Sequence, residues 1–289
     1  MNPKREKDLN LLRDYSSLFT RSEAISMING NFSSINKKIH RHSKNIPNTA
    51  VSSYSKFLKH AYQVLENSYR NEYVFKNSFI TYWLINELGK SDSVVFNEFR
   101  AGNSVADLAM FNGLSKAFEI KTEYDSDQRL SRQIENYKQV FNETYLIIPK
   151  SKVDLYKKND PSIGIILFDD DKNNKFEFLR KAVIKEDLNP LFLMQILNTN
   201  EYREIVKSYY GELPKMNSFN QYKTCFELIK KIPIGDFNQL CLEQIKMRKL
   251  ENVLSEHSHK ELNQICLSLK LKKKEKRSLI ENLKKPIQF

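Results

Sequence analysis

The segment from residue 104 to residue 121 carries the residues whose types and spacing best fit chemistry. Asp107 lies in one strand-like run, and an acid–apolar–lysine triplet, Glu119-Ile120-Lys121, closes the next run. Because side chains alternate along a strand, Glu119 and Lys121 project from the same face. Two carboxylates on adjacent strands, with a lysine beside them, can bind Mg²⁺ through oxygen ligands. The pattern is typical of metal-dependent hydrolysis of phosphodiester bonds.

The loop between these two strands decides whether the carboxylates meet. A two-residue Asn-Gly turn at 112–113 pairs Asp107 with Phe118 and leaves Glu119 on the opposite face. A three-residue loop, or one bulge, pairs Asp107 with Glu119 instead. The interpretation as a metal site therefore requires an odd-length loop at 112–114.

The preceding hairpin brings a third acid and an arginine toward the same face. If Arg100 pairs with Val105, then Glu98 faces Asp107 across the two strands. Glu98 could then hold a second ion or a water molecule, and Arg100 could contact phosphate.

Given that register, each residue of the triplet has a chemical role. We expect Asp107 and Glu119 to chelate Mg²⁺, or Mn²⁺ in its place, with help from the Ile120 carbonyl. Lys121 would orient or activate the attacking water and stabilise charge developing on the phosphate. The alternative is that Lys121 forms an ion pair with one of the two acids and faces solvent.

A second signature follows on a helix predicted over 126–141. Arg129, Gln133 and Tyr137 lie at i, i+4 and i+8, close to one helix face. Gln133 and Tyr137 could hydrogen-bond to a nucleic-acid backbone or to the neighbours of the triplet lysine, although Tyr137 is equally well explained as a core residue. Glu72, one helix earlier, could reach the site from its side or be a surface glutamate.

The charge of the 289-residue chain is uneven, with a net charge of +12. No acid occurs between Glu23 and Glu66, where six Lys and Arg residues fall, and 270–285 holds eight Lys and Arg against two acids. Basic flanks around a near-neutral centre favour a polyanionic partner such as nucleic acid. The alternative is that these residues only make the surface soluble. The N-terminal candidates for nucleic-acid contact are Lys37, Lys38 and Arg41.

The cysteine count and hydropathy pattern indicate the class of protein. The three cysteines form no CxxC pair, which argues against a zinc site or a disulfide framework and for reduced thiols. No run of 18 apolar residues occurs, and the N-terminus has no apolar leader segment. We therefore expect a soluble cytoplasmic protein without a membrane partner.

The chain divides into three predicted regions: a basic helical region at 1–68, a catalytic core at 69–185 and a helical region at 186–289. In the first region, a helix, a tight turn at 29–31 and a basic second helix outline a helix-turn-helix, an outline that small helical bundles share. The core order of a helix, three meandering strands, a helix and further strands describes an α/β sandwich with a mixed sheet. The predicted strands are 94–100, 104–111, 116–121, 144–149, 163–168 and 175–179.

With these pieces in this order, the chain resembles the PD-(D/E)XK nuclease superfamily. The matching elements are Asp107, the Glu119-Ile120-Lys121 triplet and a QxxxY motif, Gln133–Tyr137, of the type found in RecB and Cas4 enzymes. The stretch 97–138 is closer still to a little-studied bacterial family associated with mobile elements and defence loci. Ala106 stands where the superfamily motif has proline, a departure that the superfamily tolerates.

The resemblance implies a restriction-endonuclease-like α/β sandwich whose mixed central sheet is flanked by N- and C-terminal helical regions. It also implies metal-dependent cleavage of nucleic acid, usually DNA, with Glu72 or Glu98 as a supporting acid. We therefore predict a Mg²⁺-dependent deoxyribonuclease acting in phage defence, restriction or mobile-element maintenance. Cutting both strands of a duplex would favour a homodimer. The alternative is a nucleic-acid-binding or regulatory module that keeps the fold without turnover.

Overall fold

The structure is a computed structural model of the chain and describes residues 3–88, 93–123, 125–158, 160–169, 175–248 and 258–288. The chain forms two compact units. The first unit joins Met1–Glu87 with Glu251–Phe289, and the second is Leu88–Leu250. These limits differ from the three predicted regions. The reason is that the last helices of the chain share an apolar core with the N-terminal helices, whereas those before residue 248 pack in a core with the sheet.

Three of the N-terminal helices begin at residues whose side chains satisfy the first free amides. Thr20, Ser53 and Asn71 each accept a hydrogen bond from the backbone amide three residues further on. Gly30 has a φ of +73°, which glycine adopts without strain, so the tight turn predicted between two helices is confirmed. The helices are α1 (Pro3–Ser17), α2 (Arg21–Ile28), α3 (Ser33–Arg41), α4 (Tyr54–Ser68), α5 (Glu72–Phe79) and α6 (Ile85–Leu88), with a π-helical turn at Ile80–Leu84.

A six-stranded sheet of order β1-β2-β3-β4-β5-β6 organises the second unit. The first three strands and the β5–β6 pair are antiparallel, while β3–β4 and β4–β5 are parallel. The predicted α/β class with a mixed sheet is therefore confirmed. Strands β4 and β5 are buried along their whole length, as their continuous apolar runs indicate. The strands are β1 (Val94–Ala101), β2 (Ser104–Phe111), β3 (Ser115–Ile120), β4 (Glu143–Pro149), β5 (Gly164–Phe168) and β6 (Phe176–Arg180).

Helices cover the sheet and complete the second core. Between the strands lie α7 (Leu130–Lys138) and α8 (Val153–Tyr156). Aromatic residues of the first two strands pack with α7 and with apolar residues of the later helices. Those later helices are α9 (Pro190–Gln195), α10 (Thr199–Tyr210), α11 (Gln221–Ile229) and α12 (Ile234–Lys246).

The last two helices, α13 (Asn263–Ser268) and α14 (Lys273–Leu283), belong to the first unit. Leu279 and Leu283 are fully buried in one core with Met27 and Phe57. All three cysteines of the chain are buried free thiols. Across the ranges that the structure describes, no helix combines the length and the apolar character needed to cross a bilayer.

Candidate active site

The two strand carboxylates meet because the β2–β3 loop has three residues. Phe111 pairs with Ser115 across Asn112–Leu114, and the register continues toward the start of β2. The last pair of this register is Leu108 with Phe118, and one further step sets Asp107 opposite Glu119, as an odd-length loop requires. The condition set by the sequence for a shared carboxylate site is therefore confirmed.

The carboxylate of Asp107 is directed at the triplet. Its Oδ2 accepts a hydrogen bond from the backbone amide of Ile120 at 2.8 Å. Asp107 is half-buried, whereas Glu119 on the next strand is only 4% exposed. The site therefore has one acid open to solvent and one acid enclosed by protein.

Glu119 is held by donors from its own strand and from α7. Lys121 Nζ lies 3.2 Å from Glu119 Oε1, and Gln133 Nε2 donates to the same oxygen at 2.8 Å. Tyr137 Oη lies 2.7 Å from Glu119 Oε2. Lys121 thus forms an ion pair with Glu119, as the alternative to a metal site predicted, but the pair is buried and does not face solvent.

Tyr137 serves both the core and the site. Its ring is fully buried and packs edge-on to Phe141, while its hydroxyl lies 2.7 Å from Glu119 Oε2 and 2.7 Å from the carbonyl oxygen of Val105. The single hydroxyl proton satisfies only one of these acceptors. Burial, followed by the charge of Glu119, raises the pKa of Tyr137 well above its usual range. Tyr137 is therefore a neutral hydrogen-bonding group.

The electrostatics of the pair favour a proton or a cation at Glu119. Burial, with the charge of Asp107 as the second cause, raises the pKa of Glu119 to about 6. The hydrogen bond from Tyr137 and the charge of Lys121 act in the opposite direction. A proton on Glu119 would also let the acid donate to Tyr137 while Tyr137 donates to Val105, so that both contacts become hydrogen bonds.

The atoms that Asp107 and Glu119 could offer to a metal ion are carboxylate oxygens, which suit a hard cation. Gln133 Oε1 is buried and has no hydrogen-bond partner within the described part of the chain. Such an acceptor is satisfied by a water molecule or a cation. No cluster of three His, Cys, Asp or Glu side chains suited to a metal occurs among the residues described. Two carboxylates fit Mg²⁺, which keeps several waters, better than a metal that needs a closed set of protein ligands.

Residues 65–269 match the sequence profile of the bacteriophage P4 protein cII family. The chain belongs to the P4 cII family. One relative is protein cII of Enterobacteria phage P4, 26% identical over 171 residues, which cover 57% of this chain and 63% of the relative. The chain thus spans less than two thirds of that relative's length.

Among solved structures, the SPO1766 protein of unknown function from Silicibacter pomeroyi is similar over 43% of this chain and 85% of that protein. Its sequence identity is 16% and its TM-score is 0.29, which supports no inference about the fold. Asp107, Glu119, Lys121, Gln133 and Tyr137 all lie inside the region that matches the cII family.

Three further predicted residues of the second unit lie on its surface. Glu98 stands between two paired positions of β1, opposite Asp107, but its φ of +55° interrupts the ladder and its side chain is exposed. Arg100 pairs with Val105 as predicted and is exposed. Arg129 is exposed at the start of α7. The Glu119 side chain itself is contacted by Lys121, Gln133 and Tyr137.

The other predicted residues belong to the first unit. Glu72 is 70% exposed at the start of α5 and lies 3.4 Å from Lys76 Nζ. Lys37 is exposed on α3. Lys38 is 12% exposed and pairs with an acid of α2, whereas Arg41 is 63% exposed and pairs with an acid of α1.

Two contacts that position the site were not predicted from the sequence. Asn136 Nδ2 donates to Ser104 Oγ at 2.7 Å and so ties α7 to the start of β2. The Val105 carbonyl accepts from Tyr137. Asn136 follows Gln133 by three residues and thus shares its helix face, which is a signal present in the sequence. A backbone carbonyl leaves no such signal.

Proposed function

We propose that the protein is a metal-dependent nuclease that hydrolyses phosphodiester bonds of nucleic acid, with DNA as its main substrate. The observation that carries this proposal is the meeting of Asp107, Glu119 and Lys121 on adjacent strands, closed by Gln133 and Tyr137 from α7. That set matches the residues implied by the PD-(D/E)XK resemblance. The restriction-endonuclease-like arrangement of the sheet is part of the same proposal.

The metal ligands would be the carboxylates of Asp107 and Glu119 with the Ile120 carbonyl, and Mg²⁺ or Mn²⁺ would be the ion. When bound, the ion would lower the pKa of a coordinated water and neutralise phosphate charge. The unpaired Gln133 Oε1 is a further oxygen acceptor beside these groups, and it would hold a water molecule of the ion's shell.

Side chains of the protein would take part in the hydrolysis beside the metal ion. Lys121 would hold the attacking water and stabilise negative charge on the phosphate. Tyr137 would hold Glu119 in place from its other oxygen, 2.7 Å away. With a pKa of about 6, Glu119 is mainly ionised at neutral pH and can then bind a cation. Arg100 and Arg129, both exposed, would contact phosphates on either side of the scissile bond.

One observation favours the second candidate, a silent module that retains the nuclease fold. Both oxygens of Glu119 already have partners in Lys121, Gln133 and Tyr137, as in a buried network that only stabilises the sheet. These three partners take three of the about four lone-pair positions of the carboxylate, so a cation would have to use the remaining position on Oε2 or displace a partner. A silent module would bind nucleic acid but show no metal-dependent cleavage.

The biological setting that we propose is phage defence, restriction or mobile-element maintenance in the cytoplasm. The similarity to a protein of a bacteriophage, Enterobacteria phage P4, supports that setting. A homodimer would place one such site on each strand of a duplex.

Cleavage of supercoiled plasmid tests the proposal. Wild type, Asp107→Asn and Glu119→Gln are compared in Mg²⁺, Mn²⁺ and EDTA. Glu143→Gln is the matched control, because Glu143 is a buried acid of the same sheet that pairs with Lys116 at 2.8 Å. We expect wild type and Glu143→Gln to nick the plasmid in Mg²⁺ and in Mn²⁺ but not in EDTA, and the two site variants not to nick it. Cleavage by Asp107→Asn at the wild-type rate, or no cleavage by wild type beside clear DNA binding, would contradict it.

A further inference from the structure

The positive charge of the protein is concentrated in the first unit. Residues 1–87 and 251–289 hold 22 Lys and Arg against 12 Asp and Glu, a net charge of +10 out of the total of +12. The second unit, which contains the candidate active site, therefore carries only +2. A net charge of +10 on the first unit attracts a polyanion to that unit more strongly than to the second.

The fold brings the two basic runs of the sequence together in this unit. Asn282 on α14 donates from Nδ2 to the carbonyl oxygens of Met27 at 3.1 Å and Ile28 at 2.9 Å, and Ser278 Oγ donates to Ile28 at 3.2 Å. These bonds satisfy the free carbonyls at the C-terminal end of α2. The C-terminal basic helix is thus fixed to the helix that precedes α3.

The contact extends to the turn between α2 and α3. A Cβ placed on Gly30, at the centre of that turn, would lie 3.7 Å from Lys285 Nζ. The ammonium group of a residue near the C-terminus therefore lies at the turn that leads into α3. The C-terminal basic segment therefore reaches the turn from which the N-terminal basic helix begins.

Helix α3 is amphipathic, with a basic outer face. Ile35 and Ile39 are buried in the core of the unit. Lys38 is not part of the outer face, because its Nζ lies 3.2 Å from Glu23 Oε2 and 2.9 Å from Ser34 Oγ. Exposed polar residues follow the opposite side at helical spacing: Ser33, Lys37, His40 and, just beyond the helix, Lys44. Arg41 is also exposed, but its guanidinium pairs with Asp14 at 2.7 Å.

The outer side of α14 continues this charge. Its first turn and the two lysines just after its end are exposed, and the helix contains two acids, Glu275 and Glu281. The exposed basic residues at and around α14 are Lys272, Lys273, Lys274, Arg277, Lys284 and Lys285.

We propose that α3 and α14 form one composite face that binds double-stranded DNA. A short helix that follows a tight turn has the dimensions to enter the major groove, and lysines beside the turn can neutralise the flanking phosphates. The inference rests on the proposed function for the choice of DNA, and it assigns duplex binding to the first unit and chemistry to the second. The N-terminal and C-terminal segments act as one surface, so neither binds well without the other.

The test is equilibrium binding of a fluorescently labelled duplex to the full chain in EDTA, where a metal-dependent nuclease does not cut. Two double variants remove charge from the face: Lys37→Gln with Lys44→Gln, and Lys284→Gln with Lys285→Gln. The matched control is Lys215→Gln with Lys223→Gln, which removes two exposed lysines from the second unit. All six side chains are exposed, and unchanged melting curves exclude misfolding.

We expect each face variant to weaken binding about 10- to 30-fold near 0.15 M salt and to reduce the slope of log K against log salt by about 2, since each lost phosphate contact removes about 0.9. The control should change neither quantity. Equal losses in the control, no loss in either face variant, or tighter binding of single-stranded than of duplex DNA would overturn the proposal. Failure of the nuclease proposal appears separately, as absent cleavage with these binding results intact.

Discussion

The buried Glu119 predicts an unusual dependence of stability on pH. Its pKa is raised from 4.5 to about 6 in the folded protein by burial and by Asp107. A carboxyl group whose pKa is raised on folding stabilises the protein in its protonated form. That contribution is fully present below pH 4.5 and is lost as the pH rises through 6. The difference of roughly 1.5 pKa units corresponds to about 2 kcal/mol of unfolding free energy.

Replacement of Glu119 by glutamine removes this titration. In EDTA we expect wild type to lose about 2 kcal/mol between pH 4.5 and pH 7.5 relative to Glu119→Gln, because glutamine does not ionise. Urea unfolding at several pH values measures the difference, with Glu143→Gln as a control for the loss of a buried acid in the same sheet. At pH 7.5, added Mg²⁺ should restore stability to wild type and not to Glu119→Gln. Parallel pH curves for wild type and Glu119→Gln would refute the reasoning.

Three other outcomes follow from contacts in the two units. Tyr137→Phe leaves the Val105 carbonyl and the buried Glu119 carboxylate with one donor fewer between them, so it should cost roughly 1–3 kcal/mol in urea unfolding, and a loss under 0.5 kcal/mol would contradict the observed geometry. Asn282→Ala removes two hydrogen bonds to the last carbonyls of α2 and should destabilise the first unit by about 1–2 kcal/mol. The expected result is faster amide hydrogen exchange in α2, and unchanged exchange would show that these two bonds do not stabilise the helix. The Lys138 ammonium and the Ser162 hydroxyl lower the pKa of Asp160 to about 2. The stabilisation that ionised Asp160 gives the protein is present above pH 3.8 and is lost as the pH falls toward 2. Asp160→Asn should therefore destabilise the protein at pH 7 by at most about 1–2 kcal/mol and have no effect near pH 2.

The sequence located the strands because alternation and turn residues are local signals. The loop length at 112–114 was open, since Asn-Gly suits both two- and three-residue hairpin loops. A distant contact accompanies the three-residue loop: Ser115 donates its amide and hydroxyl to Asn142 Oδ1 at 3.0 and 2.9 Å, and Asn142 donates its amide back to Ser115 Oγ at 3.0 Å. No local pattern reports that pairing.

Two other features could not be read from the sequence. The helix predicted over 126–141 begins only at Leu130, because Thr122 and Asp125 form a hydrogen-bonded turn after β3 and delay its start. The division into units was unforeseen, since the apolar stripe of Leu279 and Leu283 shows that α14 packs on a core without showing which one. The contact between Glu119 and Lys121 was more predictable, because side-chain alternation alone put both residues on one face.

The most direct measurement compares plasmid cleavage by variants of two lysines, Lys116 in β3 and Lys121 directly after it. Lys121 lies 3.2 Å from Glu119, and Lys116 lies 2.8 Å from Glu143, so each lysine pairs with a buried acid. If the site hydrolyses phosphodiesters, Lys121→Met should lower the Mg²⁺-dependent rate by about 10²-fold or more. Lys116→Met should stay within a few-fold of wild type. Equal rates for the two variants, with both folded, would show that Lys121 has no catalytic role and would contradict the proposed active site.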